Sequence, residues 1–504
     1  MDTMWIILLV ALAILGAPLF AIFGAAAMLL FGSLPDTSIT GTANDVFSEK
    51  FADSPLLVTI PLFTFAGYVL AESGTPHRLV KLSRAWLGWM PGGLAMVCLV
   101  ASAFFTTFTG GSGITIVAIG GLLYPALIQD KYEENFSLGL VTTGGSLGLL
   151  FPPSETMIIY GVVAGIMIEK LFLAGLIPGI ITVAALAIYS SAAGIKHKMP
   201  RTAFEKTEAI KTLWEAKWEA LLPVALLGGM YSGLLRIHEA AAFTAIYTLV
   251  IEVWIYRDVS FRGDLPRIIR ESMTLVGAIL AILATAIGFT AFLIQARVPM
   301  MILEAMEGFI TSQVMFLIAL NVFLIGVGML MDIFSAIVVV VPLIVPIAMK
   351  FGVDPYHLGI VFLLNLEIGY MTPPVGLNLF ISSFRFNKPI TQLYRAVLPF
   401  IGLLGLALII VTYIPALSTW LPSMVESNSV ELGAPGEPMD DDGAFDLDSL
   451  EDDGAFDLDS LEAGDELDLD ALEDGDELDL DDLEGGDDEL DLDALEGENQ
   501  QPTE

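Results

Sequence analysis

Cysteine and histidine are scarce in this chain of 504 residues, which contains one cysteine and four histidines. The single cysteine, Cys98, excludes an internal disulfide and a metal site built from cysteines. The histidines are scattered along the sequence, and there is neither a nucleophile elbow nor a phosphate-binding glycine loop with its lysine. These absences argue against an enzyme that works through metal, thiol or nucleotide chemistry.

Charged residues are few, at 16%, whereas 55% of the residues are hydrophobic. This composition is typical of a polytopic membrane protein. The net charge of −37 belongs to the C-terminal end, because 31 of the 59 acidic residues lie from Asp440 onward, where Lys and Arg are absent. The N-terminus lacks the basic region of a signal peptide, so we expect Met4–Leu15 to belong to the mature protein.

Long apolar runs alternate with short polar segments. The runs 94–129 and 314–350 are too long for one helix that crosses a hydrocarbon core roughly 30 Å thick, and too short for two such helices with a connection between them. A re-entrant hairpin, which enters to the midplane, turns and leaves on the same side, fits these lengths better. We therefore expect an all-α polytopic membrane protein with re-entrant hairpins.

An internal repeat appears when the chain is shifted by 221 residues. The shift places Pro125 on Pro346, Gly148 on Gly369, and Pro152-Pro153 on Pro373-Pro374. Prolines are infrequent, so their common spacing carries the comparison. In an apolar run, a double proline breaks the helix, and irregular backbone survives in hydrocarbon only where it lines a cavity or site.

The basic residues predict that the two copies are inverted. Cytoplasmic loops are enriched in Lys and Arg, and such residues fall at 78–84, 196–217, 257–270 and 385–395. Threading these constraints places the first hairpin on the cytoplasmic side and the second on the opposite side. Inverted repeats with broken helices meeting at the midplane are a recurrent architecture of secondary transporters.

The first candidate site is the glycine cluster at the tip of the first hairpin, Thr109-Gly110-Gly111-Ser112-Gly113. The glycines allow a tight turn and let a ligand approach the backbone. The helix that starts after the turn directs free N–H groups at the tip and suits a carboxylate, whereas the carbonyl oxygens of the helix that ends there suit Na⁺. The alternative is close helix packing through small residues.

The first double proline adds a second group of candidates. Pro152-Pro153 frees carbonyl groups around Gly148–Phe151, which become potential cation ligands. Ser154 is expected to cap the following half-helix. Glu155 beside it is either a functional intramembrane carboxylate or a charge at the edge of a loop.

The second copy offers corresponding elements at its own tip and break. A lone carboxylate, Asp332, lies between two apolar runs, where it either binds an ion directly or caps the hairpin tip. Glu367 either titrates or binds an ion, or makes a polar contact between helices. The remaining candidates of this copy are Met331, Ser335, Gly369, Thr372, Pro373, Pro374 and Asn378.

The chemistry changes after Pro422. Asp441–Glu451 and Asp452–Glu462 have the same eleven residues, and looser copies follow. The density of like charge predicts a disordered, solvated tail. The alternation of the preceding loops places this tail on the extracytoplasmic side. Binding of calcium or of a cationic partner is the alternative.

Four stretches of this sequence resemble the large membrane subunit of TRAP transporters (tripartite ATP-independent periplasmic transporters), the DctM-like family. They are GGSGITIVAIGGLLYPALI, GLVTTGGSLGLLFPPSETMIIYGVVAG, MDIFSAIVVVVPLIVPIA and LNLEIGYMTPPVGLNLF. The similarity extends over about residues 1–425 and does not cover the acidic tail. The tip GGSG has fewer hydroxyls than the family's first tip usually has, which leaves more of the coordination to backbone.

The resemblance implies a Na⁺-driven importer of small organic acids with an elevator mechanism in the bacterial inner membrane. It implies one Na⁺ between the Gly110–Gly113 tip and Gly148–Pro152, and another between the Met331–Ser335 tip and Gly369–Pro373. It also implies two partners, a small four-helix membrane subunit on a separate chain and a periplasmic solute-binding protein. We expect no organic cofactor, no further metal and no nucleic acid.

The expected organisation divides the chain into a scaffold and a moving transport domain. The scaffold comprises 1–91 and 219–312, and the transport halves are 92–195 and 313–396. A cytoplasmic linker (196–218), a last transmembrane helix (397–422) and the acidic tail (423–504) complete the chain. In the transport halves we expect hairpins at 92–130 and 313–350 and broken helices at 135–168 and 357–384.

Three other functions are compatible with parts of this pattern. A stand-alone Na⁺/carboxylate symporter of the same fold would need no binding protein. A membrane-embedded enzyme would need nucleophile, base or metal ligands at one depth, which the scattered histidines do not supply. A passive channel is disfavoured because no polar stripe lines a pore.

Overall fold

The computed structural model describes residues 11–12, 17–31, 55–296, 298–307, 310 and 312–431, and within these the secondary structure is helical, without strands. The predictions for the acidic tail from 432 onward, and for Met4–Leu15 apart from residues 11 and 12, lie outside the described residues. A helix begins at Leu19, directly after Pro18.

We number the described helices in chain order, as follows: α1 Leu19–Phe31, α2 Thr59–Glu72, α3 Thr75–Leu87, α4 Gly93–Thr109, α5 Ser112–Gln129, α6 Glu134–Gly144, α7 Glu155–Ala164, α8 Ile168–Lys196, α9 Lys206–Glu215, α10 Lys217–Tyr231, α11 Ile237–Ile255, α12 Asp264–Gln295, α13 Val298–Glu307, α14 Gln313–Leu330, α15 Ile333–Lys350, α16 Pro355–Gly369, α17 Leu377–Phe386, α18 Ile390–Tyr413 and α19 Ala416–Glu431. Seven helices in the described part of the chain are long and apolar enough to cross a membrane, or up to nine if each of two bent helix pairs counts as one span. The fold is therefore that of an all-α polytopic membrane protein, as predicted.

The helix boundaries repeat with the offset of 221 residues found in the sequence. Helix α5 covers Ser112–Gln129 and α15 covers Ile333–Lys350, so both ends shift by that offset. The preceding arms end at Thr109 in α4 and at Leu330 in α14, which again differ by it. The repeat is thus a repeat of structure as well as of prolines.

The hairpins turn within two residues. At the first tip, Gly110 has φ +62°, a left-handed conformation that favours glycine. At the second tip, Met331 and Asp332 separate α14 from α15, and the Asp332 carboxylate accepts a hydrogen bond from the backbone N–H of Ser335 over 3.1 Å. The same turn is therefore stabilised differently in the two hairpins, by a left-handed glycine in the first and by a side-chain cap in the second.

Both double prolines interrupt a helix, as predicted, but the α-helices stop before the prolines. Helix α6 ends at Gly144, a 3₁₀ turn covers Leu147–Leu150, and α7 begins at Glu155. In the second copy, α16 ends at Gly369 and α17 begins at Leu377. The peptide bond between the two prolines is cis in both copies.

The two copies exchange contacts in a reciprocal way. Helix α17 of the second copy packs on α5, the second arm of the first hairpin, and α7 of the first copy packs on α15, the second arm of the second hairpin. Such an exchange is what a two-fold relation between the copies requires. If this axis lies in the membrane plane, as the distribution of basic residues predicts, the two copies have inverted topology.

The C-terminal helices differ from the expected last transmembrane helix at 397–422. Helix α18 begins at Ile390 and ends at Tyr413, and a further helix, α19, follows after a break. Pro415, which lacks a backbone N–H, lies in this break and accounts for it. The linker at 196–218 also contains a helix, α9, which packs on α3.

Candidate ion and substrate site

The first hairpin tip contacts the second broken helix. The Ser112 hydroxyl, at the start of α5, donates a hydrogen bond to Oδ1 of Asn378 over 2.7 Å. Asn378 is the second residue of α17, so the N-termini of two helices from different repeats meet at this point. Both side chains are buried. The structure thus brings together two residues that the sequence analysis assigned to separate motifs.

An oxygen-rich region lies behind the first tip. The Thr106 hydroxyl contacts the Thr115 hydroxyl over 2.8 Å and donates to the Gly145 carbonyl over 3.0 Å. The Thr107 hydroxyl lies 3.4 Å from the Gly148 carbonyl. Hydroxyl and carbonyl oxygens are the ligands that hard cations prefer. Thr106 and Thr107 were missed in the sequence, although they precede the glycine cluster by one helical turn.

Gly148 permits this close approach of the broken helix to the hairpin. A Cβ added there would lie 2.5 Å from the backbone nitrogen of Thr107 and 2.6 Å from Cβ of Thr106. Gly148 therefore has a packing role, and its carbonyl accepts a hydrogen bond from the backbone N–H of Phe151 over 3.1 Å. The hydroxyl of Thr109 lies 3.5 Å from that of Thr115 in the same region.

The other candidates of the first copy are mostly enclosed. Pro152, Pro153 and Ser154 are buried. Ser154 occupies the position before α7, but its hydroxyl pairs with that of Thr156 over 2.7 Å and does not cap the helix, so the expected capping role was wrong. The ring of Phe151 packs on Gly179 of α8, and Gly113 packs on Ile381 of α17.

Glu155 is a buried intramembrane carboxylate and not a charge at a loop edge. It is 3% exposed, and its Oε1 accepts a hydrogen bond from the Thr64 hydroxyl of α2 over 2.5 Å. Its side chain also packs on Gly110, where any side chain would collide with it. The first tip is thereby held between α2 and the start of α7.

The second tip is built around the Asp332 cap. Ser335 donates its hydroxyl proton to the same carboxylate over 2.5 Å, so both oxygens of Asp332 have a partner at the start of α15. Asp332 itself is exposed, whereas Ser335 is buried. The capping alternative of the sequence analysis is thus realised, and the carboxylate retains lone pairs that a cation can use.

The second break is held against the second hairpin by glycines. A Cβ on Gly369 would lie 2.6 Å from Cα of Gly328 in α14. Shifted back by the repeat offset, Gly328 and Gly369 become Thr107 and Gly148, which make the equivalent contact in the first copy. The backbone N–H of Gly376 donates to the Met329 carbonyl over 3.3 Å, and the Thr372 hydroxyl donates to the Ile368 carbonyl over 2.7 Å.

A groove of about 580 Å³ opens beside the contact between the tip and the broken helix. It is lined by Val117 of α5 and by Phe380, Ile381, Phe384 and Arg385 of α17. Arg385 is the cation among these lining residues, and its Nε donates to the Val117 carbonyl over 3.1 Å. Pro374 and Val375 of the second break are exposed, unlike the buried prolines of the first break.

The profile of the family described as the DctM component of the tripartite ATP-independent periplasmic transporter matches residues 5–417. The chain is 35% identical over 441 residues to the C4-dicarboxylate TRAP transporter large permease protein DctM of Vibrio cholerae, covering 83% of this chain and 97% of the relative. The chain belongs to the DctM family.

Two further comparisons place this DctM-family chain. It is 36% identical over 411 residues to the isethionate TRAP transporter permease protein DctMQ of Oleidesulfovibrio alaskensis, covering 80% of this chain and 64% of that longer relative. Its fold is similar to that of the YdaH transporter of Alcanivorax borkumensis, with a TM-score of 0.56 at 13% identity over 81% of this chain and 98% of that one. The chain is thus the large permease component of a secondary transporter in the bacterial inner membrane, and the family is not an enzyme family.

A charged network in this DctM-family chain was not foreseen from the sequence. Arg78 of α3 pairs with Glu219, Glu252 and Asp258. In the sequence, Arg78 indicated only a cytoplasmic loop. The side chains of Glu219 and Glu252 are 2% and 0% exposed. The guanidinium also lies 3.8 Å from the centre of the Tyr256 ring. The network connects α3 to α10 and α11. The only indication of it in the sequence is the presence of acidic residues within apolar helices.

Proposed function

We propose that this DctM-family chain is the large permease of a Na⁺-coupled, binding-protein-dependent importer of small organic acids that works by an elevator mechanism. The observation that carries the proposal is the contact between Ser112 and Asn378. Because α5 and α17 both begin there, two sets of free N–H groups and two positive helix ends are directed at one place. A carboxylate group is the ligand that such a place favours.

The first Na⁺ site in this proposal lies between the Gly110–Gly113 tip and Gly148–Pro152. The oxygens of Thr106, Thr107 and the Gly145 and Gly148 carbonyls, which approach one another within hydrogen-bonding distance, support it. These groups carry no formal charge, so a singly charged cation suits them better than a divalent one. Na⁺ would hold the tip against the broken helix and keep both helix starts in place.

The second Na⁺ site lies between the Met331–Ser335 tip and Gly369–Pro373. Its support is the exposed Asp332 carboxylate beside a backbone that ends α16 at Gly369. Thr372 contributes a hydroxyl oxygen at the same break. Occupation of both sites would offset the charge of the organic acid, so that acid and Na⁺ bind more tightly together than apart, which is the physical source of coupling.

The moving part comprises 92–195 and 313–396, and the scaffold comprises 1–91 and 219–312. Two contacts between these parts support the division, the bond from Thr64 to Glu155 and the packing of Gly67 against the backbone of Phe108. Small residues at such a surface let one part slide on the other. The groove with Arg385 then serves as the cytoplasmic route for the released anion.

The partners in this proposal are a small four-helix membrane subunit and a periplasmic solute-binding protein. The family's description as one component of a tripartite transporter supports both. The printed name DctMQ of a longer relative indicates that a second component can be fused to this one, and here we assign it to a separate chain. The substrate class rests on relatives named for C4-dicarboxylates and isethionate, which are small organic anions.

The test is uptake into proteoliposomes that contain this chain with its small subunit. A radiolabelled C4-dicarboxylate is supplied with and without an inward Na⁺ gradient, and with and without the cognate binding protein. We expect accumulation only when both are present. Uptake driven equally well by K⁺ would overturn Na⁺ coupling, and full uptake without the binding protein would indicate the stand-alone symporter.

A further inference from the structure

Ser146 and Glu367 are equivalent positions in the two repeats, and they contact each other. They differ by the repeat offset of 221 residues, and the Ser146 hydroxyl lies 3.3 Å from Oε1 of Glu367. Two positions that a two-fold relation exchanges can touch only if they lie near its axis. This contact therefore marks the pseudo-two-fold axis, between the two broken helices.

The carboxylate at this axis is buried without a compensating charge. Glu367 is 1% exposed, its Oε2 has no hydrogen-bond partner among the described residues, and the same holds for the hydroxyl of buried Thr143. No salt bridge of the described chain includes Glu367. An isolated carboxylate at this depth is costly and needs a cation or a proton.

The spacing of the oxygens favours a bound cation. The Ser146 hydroxyl lies 3.3 Å from the Thr143 carbonyl and 3.3 Å from Oε1 of Glu367. Hydroxyl hydrogen bonds are usually shorter, at roughly 2.5–3.0 Å, so neither contact of Ser146 is a strong hydrogen bond. Na⁺ is similar in size to Ca²⁺, whose oxygen ligands lie at roughly 2.3–2.6 Å, so neighbouring ligands of an octahedral shell lie roughly 3.3–3.7 Å apart.

We propose that Glu367, Ser146 and Thr143 form an additional Na⁺ site on the pseudo-two-fold axis. The Ser146 hydroxyl lies between the Thr143 carbonyl and Oε1 of Glu367, and the second carboxylate oxygen and the Thr143 hydroxyl are buried without a hydrogen-bond partner among the described residues. This inference rests on the proposed Na⁺ coupling and adds an ion to the two at the tips. One Na⁺ here neutralises the buried carboxylate, so the moving part crosses the membrane without an unpaired internal charge.

The experiment counts Na⁺ bound to the purified full chain in detergent, with radioactive Na⁺ titrated at constant ionic strength. Glu367→Gln keeps the shape of the side chain and removes its charge, and Ser146→Ala removes one ligand. The matched control is Ser190→Ala, because Ser190 is also a buried serine but lies in α8, where its hydroxyl has no hydrogen-bond partner among the described residues. We expect Glu367→Gln to bind one Na⁺ fewer than the parent, Ser146→Ala to bind that ion more weakly, and the control to match the parent.

The other outcomes contradict either the axial site or the proposed Na⁺ coupling. An unchanged Na⁺ count in Glu367→Gln, with an unchanged titration in Ser146→Ala, overturns the axial site and leaves the acid neutral through a proton. If the parent chain binds no Na⁺ at all, the proposed coupling fails together with this site. If Glu367→Gln does not fold, the Ser146→Ala titration decides, because loss of one hydroxyl leaves the packing intact.

Discussion

The hydroxyl of Thr64 donates a hydrogen bond to Oε1 of Glu155 over 2.5 Å, and it joins α2 to the start of α7. Glu155 also packs on Gly110, so the bond links α2 to the first hairpin tip as well. In an elevator, a bond between scaffold and moving part has to break in every cycle. A single neutral donor is suited to this, since an ion pair buried at the same place would cost much more to separate.

Asp332 has a capping role and a proposed ion role, and two substitutions separate them. Asp332→Asn retains a side-chain oxygen for the cap and removes the charge, whereas Asp332→Ala removes both. We expect both variants to lose Na⁺-dependent uptake in proteoliposomes, because the second Na⁺ site loses its carboxylate. Only Asp332→Ala should also lose stability, by about 1 kcal/mol in thermal unfolding. Normal uptake by Asp332→Asn would restrict the residue to capping.

The close contact of Gly328 with Gly369 predicts opposite effects of two neighbouring Gly→Ala changes in α14. A Cβ on Gly328 would lie 3.1 Å from the backbone of α16, whereas one on Gly326 meets nothing within 4 Å. Gly328→Ala should destabilise the folded chain by about 1–3 kcal/mol through overpacking. Gly326→Ala should be neutral or stabilise by about 0.5–1 kcal/mol. Equal thermal stabilities would show that the hairpin and the broken helix are not in contact there.

The sequence predicted the elements of the fold better than the chemistry of the site. Helices α14 and α15 together span the residues of the predicted hairpin at 313–350, because proline spacing and apolar length are local properties, whereas the re-entrant course of the hairpin stays a prediction. The contact of Ser112 with Asn378 joins residues 266 positions apart, and no local pattern encodes it. The partners of Arg78 were missed for the same reason, since Glu219, Glu252 and Asp258 are all more than 140 positions away in the sequence.

The capping role of Ser154 was wrong for a different physical reason. The residue type and its position before α7 agree with a cap, but a second hydroxyl, that of Thr156, competes for the bond. Such competition between nearby side chains depends on rotamers that the sequence does not fix. The two roles of Asp332 stayed open in the sequence because capping and ion binding require the same residue at the same place.

Arg78 is predicted to be the most important cation for the stability of the scaffold. Arg78→Ala leaves Glu219 and Glu252 buried without a counter-charge, and removing one partner of a buried pair costs about 3–5 kcal/mol. The control is Arg84→Ala, in the same helix, since Arg84 is exposed and has no salt bridge among the described residues. Thermal unfolding in detergent should show a large loss for the first and almost none for the second. Equal losses would mean that the network contributes nothing specific.

Arg385 is predicted to affect release of the substrate anion and not its accumulation at equilibrium. The guanidinium is the cation of the groove beside Ser112 and Asn378, and a positive wall raises the local concentration of an anion. Arg385→Gln should slow exchange of internal for external substrate by roughly tenfold, with the Na⁺ dependence unchanged. Arg395→Gln, an exposed arginine of α18, is the control. An equal effect of both variants would indicate a general surface-charge effect and would remove the groove from the pathway.

The elevator motion can be tested at one small gap that touches both parts of the chain. Leu70, Phe104 and Leu222 all line it, and they belong to α2, α4 and α10. In a Cys98→Ala background, Leu222→Cys with Phe104→Cys places one thiol on the scaffold and one on the moving part, whereas Leu222→Cys with Leu70→Cys places both on the scaffold. A short thiol cross-linker should abolish uptake in the first pair and leave most of it in the second. Because the two pairs share one position and one gap, a packing defect would affect both, and only relative motion distinguishes them.

Full uptake by the cross-linked first pair would mean that the hairpin does not move against the scaffold, and the elevator mechanism would have to be abandoned.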